Sequence, residues 1–170
     1  WGDRDHSDVA TGLGMLASLL QDMGRLEDAL PLLQASASGS AVVVSSVAAL
    51  TAAWDRHPLA RACRAGDEAA ALALCESLDP PYQAYACSKR ALMDWVQDQA
   101  VDWGRAGVRL NAVAPGPVDT PLHRAALNDP ALGTATRAFV PALGRIAQPG
   151  EIAAVLAFLL SDAASFVHGA

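Results

Sequence analysis

The chain has 170 residues, of which 52% are hydrophobic and 18% are charged, and its net charge is −6 at pH 7. This composition is typical of a folded domain with a buried core and excludes an intrinsically disordered chain. An acidic chain without a basic stripe is poorly suited to a phosphate backbone, so we expect no nucleic-acid partner.

Four further features bear on location and on metal binding. The longest strongly apolar run, residues 152–160, is far shorter than the ~20 residues of a membrane-spanning helix, so we expect no membrane partner. The polar, acidic start WGDRDHSD is unlike a secretory signal peptide. The scattered histidines show no metal-ligand spacing. The three cysteines form no Cys-x-x-Cys pair and indicate free thiols in a reducing cytoplasm: Cys63, Cys75 and Cys87.

The first half of the chain is predicted to contain a helix, a strand and a second helical region. Leucines at helical spacing predict a helix over residues 13–33, and residues 34–40 form a loop. The β-branched stretch at 41–46 predicts a strand buried on both faces, as in a parallel sheet. Residues 47–81 are rich in alanine and are predicted to form an inserted helical segment.

The second half of the chain continues the alternation of helices and strands. A long helix is predicted over residues 81–104, and a strand that runs into a Pro-Gly turn over residues 107–116. Residues 126–140 are predicted to be a polar, mobile connection. Pro149, with Glu151 in the first turn, predicts the start of a last helix. This alternation is the pattern of a parallel α/β sheet.

Tyr85 and Lys89 lie four residues apart in the predicted long helix, and residues i and i+4 share a helix face. Only Ala86, Cys87 and Ser88 separate them, so a flat ligand could approach that face. A tyrosine has a reference pKa of about 10, and a neighbouring ammonium group stabilises the phenolate form. The pair therefore suits acid–base chemistry, although a lone Tyr-x-x-x-Lys occurs often by chance.

Further motifs accompany this pair in a fixed order. They are VVVSSVA, YACSK, GVRLNAVAPGPVDTPL and LGRIAQPGEIAAVLAFLLSDAASFVHG. Together they resemble the short-chain dehydrogenase/reductase family over residues 41–170. The 39 residues from Ser46 to Tyr85 (85 − 46) and the helical stretch between them resemble the bacterial 3α-hydroxysteroid dehydrogenase/carbonyl reductase branch, which carries an insertion at this place.

The resemblance implies a fold and an activity. The fold would be a Rossmann-like doubly wound parallel sheet, incomplete here, in a single domain over residues 1–170 with residues 47–81 as a helical insertion. The activity would be that of an NAD- or NADP-dependent oxidoreductase. It would transfer hydride between the nicotinamide and a small-molecule carbonyl or secondary alcohol, with a steroid as the candidate substrate. Family members of this kind form homo-oligomers, so a dimer or tetramer is expected.

The resemblance also assigns catalytic roles. Tyr85 matches the family's general acid/base. Lys89 matches the residue that holds the cofactor ribose and favours the phenolate form of the tyrosine. Both residues are therefore also expected to contact the cofactor. Ser46 matches the serine that binds the substrate oxygen. Ser45 is the less favoured choice, because the family's serine directly precedes the Val-Ala pair.

Further cofactor contacts follow the second strand. By resemblance, Pro115 and Gly116 match the turn beside the nicotinamide, while Val118 and Thr120 match contacts to its carboxamide and to the neighbouring phosphates. Thr120 has an equally favoured alternative role as a helix N-cap before Pro121.

The sequence departs from the family pattern at three places. The stretch ATGLG at residues 10–14 matches the glycine-rich dinucleotide loop only in part, and Asp8 stands where its first glycine would be. Ser18 lies near the place of the family's catalytic asparagine. The sequence stops at Ala170, before the family's last strand. These departures leave open a catalytically inactive, truncated remnant or regulatory subunit. A serine hydrolase using Ser46 is disfavoured, because no Gly-x-Ser-x-Gly elbow is present.

Overall fold

A computed structural model describes residues 29–36, 38–78, 82–130 and 132–170. Residues 29–34 are helical and are labelled α1. The predictions about Asp8, Ser18 and the glycine-rich stretch, together with most of the predicted helix over residues 13–33, lie outside the described residues.

The described chain alternates strands and helices, which confirms the α/β class. Its elements are β1 (Ser40–Val44), two 3-10 turns (Val47–Leu50 and Trp54–Arg56), α2 (Pro58–Arg64), α3 (Glu68–Cys75), α4 (Tyr82–Arg105), β2 (Arg109–Val113), α5 (Pro121–Asn128), α6 (Gly133–Ala138), α7 (Pro149–Leu160) and a last 3-10 turn (Asp162–Ala164). The long helix and the last helix begin and end close to their predicted bounds.

Strands β1 and β2 pair in parallel, with Ser40 opposite Arg109 and Val44 opposite Val113. Parallel neighbours need a long crossover, and α4 supplies it. One face of the strand pair packs against α4, where Trp95 and Trp103 meet edge to face with their ring centroids 5.9 Å apart. The long helix therefore packs against the sheet through its buried apolar side chains.

The predicted strand over residues 41–46 is shorter than expected. It ends at Val44, whose exposed fraction of 43% contradicts the prediction of burial on both faces within the part of the chain that the structure describes. Ser46 does not continue the strand, because its Oγ accepts a hydrogen bond from the Ala48 amide and caps the start of a 3-10 turn. The ladder nevertheless extends one step further, since the Ser45 amide donates to the Val113 carbonyl over 2.8 Å.

The helical segment between β1 and α4 forms a lobe with its own buried core, and its helical character is as predicted. Gly66, with φ of 69°, separates α2 from α3 within the stretch that the sequence presents as continuous. The lobe packs on α4 through a core that includes Trp54 and Leu59. Arg64 of α2 also donates two hydrogen bonds of 2.6 Å to Asp98 of α4. The lobe and the long helix therefore form one packed unit with a common core.

All three cysteines lie in this shared core as free thiols. Burial raises the pKa of Cys63 to about 12 and that of Cys87 to about 11. Burial raises the pKa of Cys75 as well. Because the thiolate is the reactive form of cysteine, these side chains act as small core residues.

The prediction of a polar, mobile connection over residues 126–140 is wrong, because two helices, α5 and α6, occupy much of this range. Thr120 caps α5 by accepting from the His123 amide, and Pro121 fills the first helical position. Asp129 then accepts from the Leu132 amide at the start of α6. Helix α5 has only eight residues and none of them is buried, so it adds nothing to the core.

The beginning of α7 is fixed by a capping box, as the glutamate in its first turn predicts. Glu151 accepts from the Gln148 amide at 2.8 Å and from both terminal nitrogens of Arg145 at 2.7 and 2.6 Å. The Arg145 guanidinium, followed by the Gln148 amide, lowers the pKa of Glu151 to about 2.

The segment that follows α7 returns to β2. The buried side chain of Asn111 donates to the Val167 carbonyl and accepts from the Ala170 amide. His168 bridges the Leu110 amide and the Ala100 carbonyl. The final residues therefore lie along the outer edge of the second strand.

Candidate active site

The candidate site begins where β1 ends. Ser46 is half-buried, and its Oγ accepts from the Ala48 amide at 3.2 Å, which leaves the hydroxyl hydrogen able to donate to a ligand. Ser45 is only 4% exposed and donates its own hydroxyl to the Lys89 carbonyl at 2.7 Å. Of the two serines, Ser45 uses its hydroxyl as a donor to α4, so Ser46 is the better candidate for a hydrogen bond to a ligand.

Tyr85 and Lys89 lie on one face of α4, half-buried, as their spacing predicts. The Lys89 Nζ is 5.8 Å from the centroid of the Tyr85 ring. The same nitrogen donates to the Val44 carbonyl over 3.0 Å, at the last residue of β1. The ammonium group is therefore held between the tyrosine and the strand that leads to Ser46.

The turn after β2 lies beside Ser46. The Val47 amide donates to the Pro115 carbonyl at 2.9 Å, which continues the contact between the two strand ends. A Cβ built on Gly116 would meet no atom of the described residues within 4 Å, so nothing among them crowds the turn at this point.

Val118 and Thr120 lie further along the same connection and are held by other contacts. Val118 forms an isolated parallel bridge with Ala147. The N-cap role of Thr120 is confirmed by its bond from the His123 amide, while its contact to a cofactor phosphate stays a prediction. Next to it, the Arg124 guanidinium accounts for a lowered pKa of Asp119.

Most of the predicted site residues therefore lie at or next to the carboxyl ends of the two parallel strands. Ser46, Tyr85, Lys89 and the turn at Pro115 are linked through the ends of β1, β2 and the face of α4. Open α/β sheets bind their ligands at this edge. The hydrogen bond from Ser45 to the Lys89 carbonyl of α4 lies in the same region. No local sequence pattern predicts it, because its acceptor is 44 residues away.

The described residues also bear on the predictions about membranes and metal ions. None of their helices is both long enough and apolar enough to cross a membrane. The same residues contain no group of three or more histidine, cysteine or acidic side chains arranged to hold a metal ion.

The geometry fits the nicotinamide–ribose end of a dinucleotide. Lys89 would donate its ammonium group to the ribose hydroxyls, and no side chain at Gly116 would obstruct a nicotinamide ring. Ser46 and Tyr85 place two hydroxyl groups near the same edge of the sheet. The glycine-rich stretch at residues 10–14, which the pyrophosphate would need, lies outside the described residues.

The chain is similar to known proteins over most of its length. A family model described as enoyl-(acyl carrier protein) reductase matches residues 71–170. The chain is 50% identical over 143 residues to a 3-alpha-hydroxysteroid dehydrogenase/carbonyl reductase of Comamonas testosteroni, a match that covers 83% of this chain and 56% of the relative.

Solved structures show the same similarity. The 3-alpha-hydroxysteroid dehydrogenase of Pseudomonas sp. B-0831, complexed with NADH, matches with a TM-score of 0.88 and 41% identity over 93% of this chain and 63% of that one. The structure of BdcA in complex with NADPH matches with a TM-score of 0.51 and 30% identity, over 77% of this chain and 42% of that one. The matches show a Rossmann-like fold, and the chain spans roughly half the length of these relatives.

Proposed function

Because the chain belongs to the short-chain dehydrogenase/reductase family, we propose that it acts in NAD(P)-dependent hydride transfer between a carbonyl compound and the corresponding secondary alcohol. The observation that carries this proposal is the placement of Lys89 Nζ. It lies 5.8 Å from the centroid of the Tyr85 ring and 3.0 Å from the carbonyl at the end of β1.

The proposed chemistry assigns one task to each side chain. The bound nicotinamide would supply or accept the hydride. In alcohol oxidation the Tyr85 phenolate oxygen takes the proton of the substrate hydroxyl, and in carbonyl reduction the phenol returns it. The Ser46 hydroxyl donates a hydrogen bond to the same substrate oxygen. The Lys89 ammonium stabilises the phenolate and binds the ribose hydroxyls.

The cofactor contacts of the loop after β2 are part of the same proposal. Pro115 and Gly116 form the turn beside the nicotinamide, and the open space at Gly116 supports this placement. Val118 and Thr120 would contact the carboxamide and the adjacent phosphates. Both NADH and NADPH occur in the solved structures that match, so either dinucleotide is a candidate.

The substrate class and assembly are proposed from the relatives. Two of them carry hydroxysteroid dehydrogenase in their names, which supports a steroid alcohol or ketone as the substrate. We propose one domain over residues 1–170, with 47–81 as an insertion that packs on α4, and a homo-oligomer as the assembled form. The packing of the lobe on α4 supports the insertion.

The test uses the longest polypeptide encoded by the reading frame that contains residues 1–170. Tyr85→Phe removes the proton-transferring hydroxyl and keeps the ring, so kcat is expected to fall by about 10²–10⁴-fold. Tyr82→Phe is the matched control, because this second tyrosine lies on the same helix and packs edge to face with Trp54.

The readout is NADH or NADPH absorbance with steroid and small carbonyl substrates. The control is expected to keep its turnover, and both variants should unfold at the temperature of the wild type. Turnover retained by Tyr85→Phe would overturn the assignment. A wild type without turnover on any of these substrates would instead favour a non-catalytic member of the same fold.

A further inference from the structure

Two hydrogen bonds join the end of β1 to one residue of α4. The Ser45 hydroxyl donates to the Lys89 backbone carbonyl at 2.7 Å, and the Lys89 side-chain nitrogen donates to the Val44 carbonyl at 3.0 Å. Consecutive residues of the strand thus hold both the backbone and the ammonium group of the same lysine.

We propose that Ser45 is a positioning residue for the Tyr85–Lys89 pair. Its hydroxyl fixes the backbone of α4 at residue 89 against the strand end, which sets the distance from the ammonium group to the tyrosine and to Ser46. Ser45 touches neither substrate nor cofactor in this proposal. The inference rests on the proposed function, because the positioned groups are those assigned to hydride-transfer chemistry.

A purely structural need for this hydroxyl is weak. The Lys89 carbonyl lies in the interior of α4, where it also accepts the helical bond from the amide four residues later. Removing the serine hydroxyl therefore leaves that carbonyl paired. Ser45 is 4% exposed, and alanine would fill most of its volume. What the hydroxyl adds is a fixed contact between the strand end and the helix.

Ser88 provides a matched control. It is also a serine that is 4% exposed, it precedes Lys89 directly, and its hydroxyl donates to a backbone carbonyl at 2.8 Å. Its acceptor is the Tyr85 carbonyl of its own helix, so its bond does not join α4 to β1. Ser45→Ala and Ser88→Ala thus remove equivalent hydroxyls that differ in the element they contact.

The first measurement is steady-state kinetics on the same full-length polypeptide. Ser45→Ala is expected to lower kcat about tenfold or more, with KM changed less than threefold and the unfolding temperature within a few degrees of the wild type. Ser45→Thr keeps the hydroxyl and is expected to recover most of the lost kcat. Ser88→Ala should stay within about twofold of the wild type.

The second measurement does not depend on activity. Lys89 is the single lysine of the 170 residues, so mass spectrometry of its peptide after treatment with acetic anhydride reports its amine directly. Ser45→Ala is expected to raise the acetylation rate of Lys89 several-fold, because the helix backbone at Lys89 is then held less firmly against the strand end and the bond from the amine to the Val44 carbonyl is weakened. Ser45→Thr and Ser88→Ala should react at the wild-type rate.

The outcomes separate the two proposals. An unchanged acetylation rate in Ser45→Ala, or a kcat indistinguishable from that of Ser88→Ala, overturns the positioning role while the Tyr85→Phe result stands by itself. A raised acetylation rate in a protein without turnover supports the positioning of Lys89 and overturns the proposed function. A loss of kcat that follows a large drop in unfolding temperature and that Ser45→Thr does not restore assigns Ser45 to stability alone.

Discussion

His168 shows how one side chain can join two elements that are distant in sequence. Its Nδ1 accepts from the Leu110 amide at 3.0 Å, so the proton of a neutral ring must lie on Nε2, which faces the Ala100 carbonyl at 2.6 Å. The ring therefore connects β2 to α4 while belonging to neither.

We predict that His168→Ala destabilises the protein by about 1–3 kcal/mol, because the buried Leu110 amide would lose its acceptor. His123→Ala is the control, since there the backbone amide makes the hydrogen bond to Thr120 and the substitution keeps it. Urea unfolding followed by far-ultraviolet circular dichroism gives both values. Equal effects of the two substitutions would contradict a specific role for the His168 ring.

The contacts that residues make could be predicted from their spacing in the sequence only where the pattern is local. Tyr85 and Lys89 are confirmed as neighbours because helical spacing alone places them on one face. The Ser45 bond to α4 and the Asn111 bonds to the final segment span 44 and 56 or more residues. Such contacts depend on how elements pack, and no spacing within one element encodes them.

At the scale of elements, the start of α7 offers a test by pH. Glu151 has an ordinary pKa of 4.5, which the Arg145 guanidinium lowers to about 2 in the folded protein. A carboxyl whose pKa is lower in the folded state contributes stability that is fully present above its unfolded value and is lost as the pH falls toward the folded value.

We therefore predict that Glu151→Gln lowers the unfolding temperature by a constant amount from about pH 7 to about pH 5. The difference from the wild type should then shrink between the values of 4.5 and about 2. Glutamine keeps an acceptor for the Gln148 amide, so the variant isolates the charge. The groups are exposed, so about 1 M salt should weaken the effect at neutral pH. A difference that persists unchanged to pH 2 would contradict this origin.

The elements that the sequence predicts well are those with either an apolar face or a capping signature. Helix α4 has Trp95, Val96 and Trp103 at core spacing, and α7 has its capping glutamate. Helix α5 has no buried residue and no acidic first turn, and its start is marked by the Thr120–Pro121 pair, which the sequence offers as an N-cap. That pair predicts where the helix begins but not how far it extends into residues 126–140.

At the scale of the whole chain, the described sheet has two strands and is covered unevenly. One face packs against α4, whereas Val44 on β1 is 43% exposed. Helix α7 is apolar along most of its length, yet Val155 and Phe158 are 44% and 48% exposed. Parallel sheets occur almost only with both faces covered, so these surfaces are unusual for the fold.

The last prediction concerns cofactor binding by residues 1–170 expressed alone. In the proposed site the described residues supply only the nicotinamide–ribose end, where Lys89 and the turn at Gly116 would contact the dinucleotide. Much of the affinity for such a ligand comes from backbone amides that bind its pyrophosphate at a helix N-terminus. We therefore expect this polypeptide to bind NADH or NADPH with a dissociation constant weaker than about 100 μM and to show no measurable turnover of steroid or carbonyl substrates.

Titration followed by nicotinamide fluorescence measures the dissociation constant. Lys89→Met removes the ammonium group and is the control for its contact with the ribose. A dissociation constant in the low micromolar range, about −8 kcal/mol, would contradict the prediction and would mean that the residues before β1 complete a dinucleotide site.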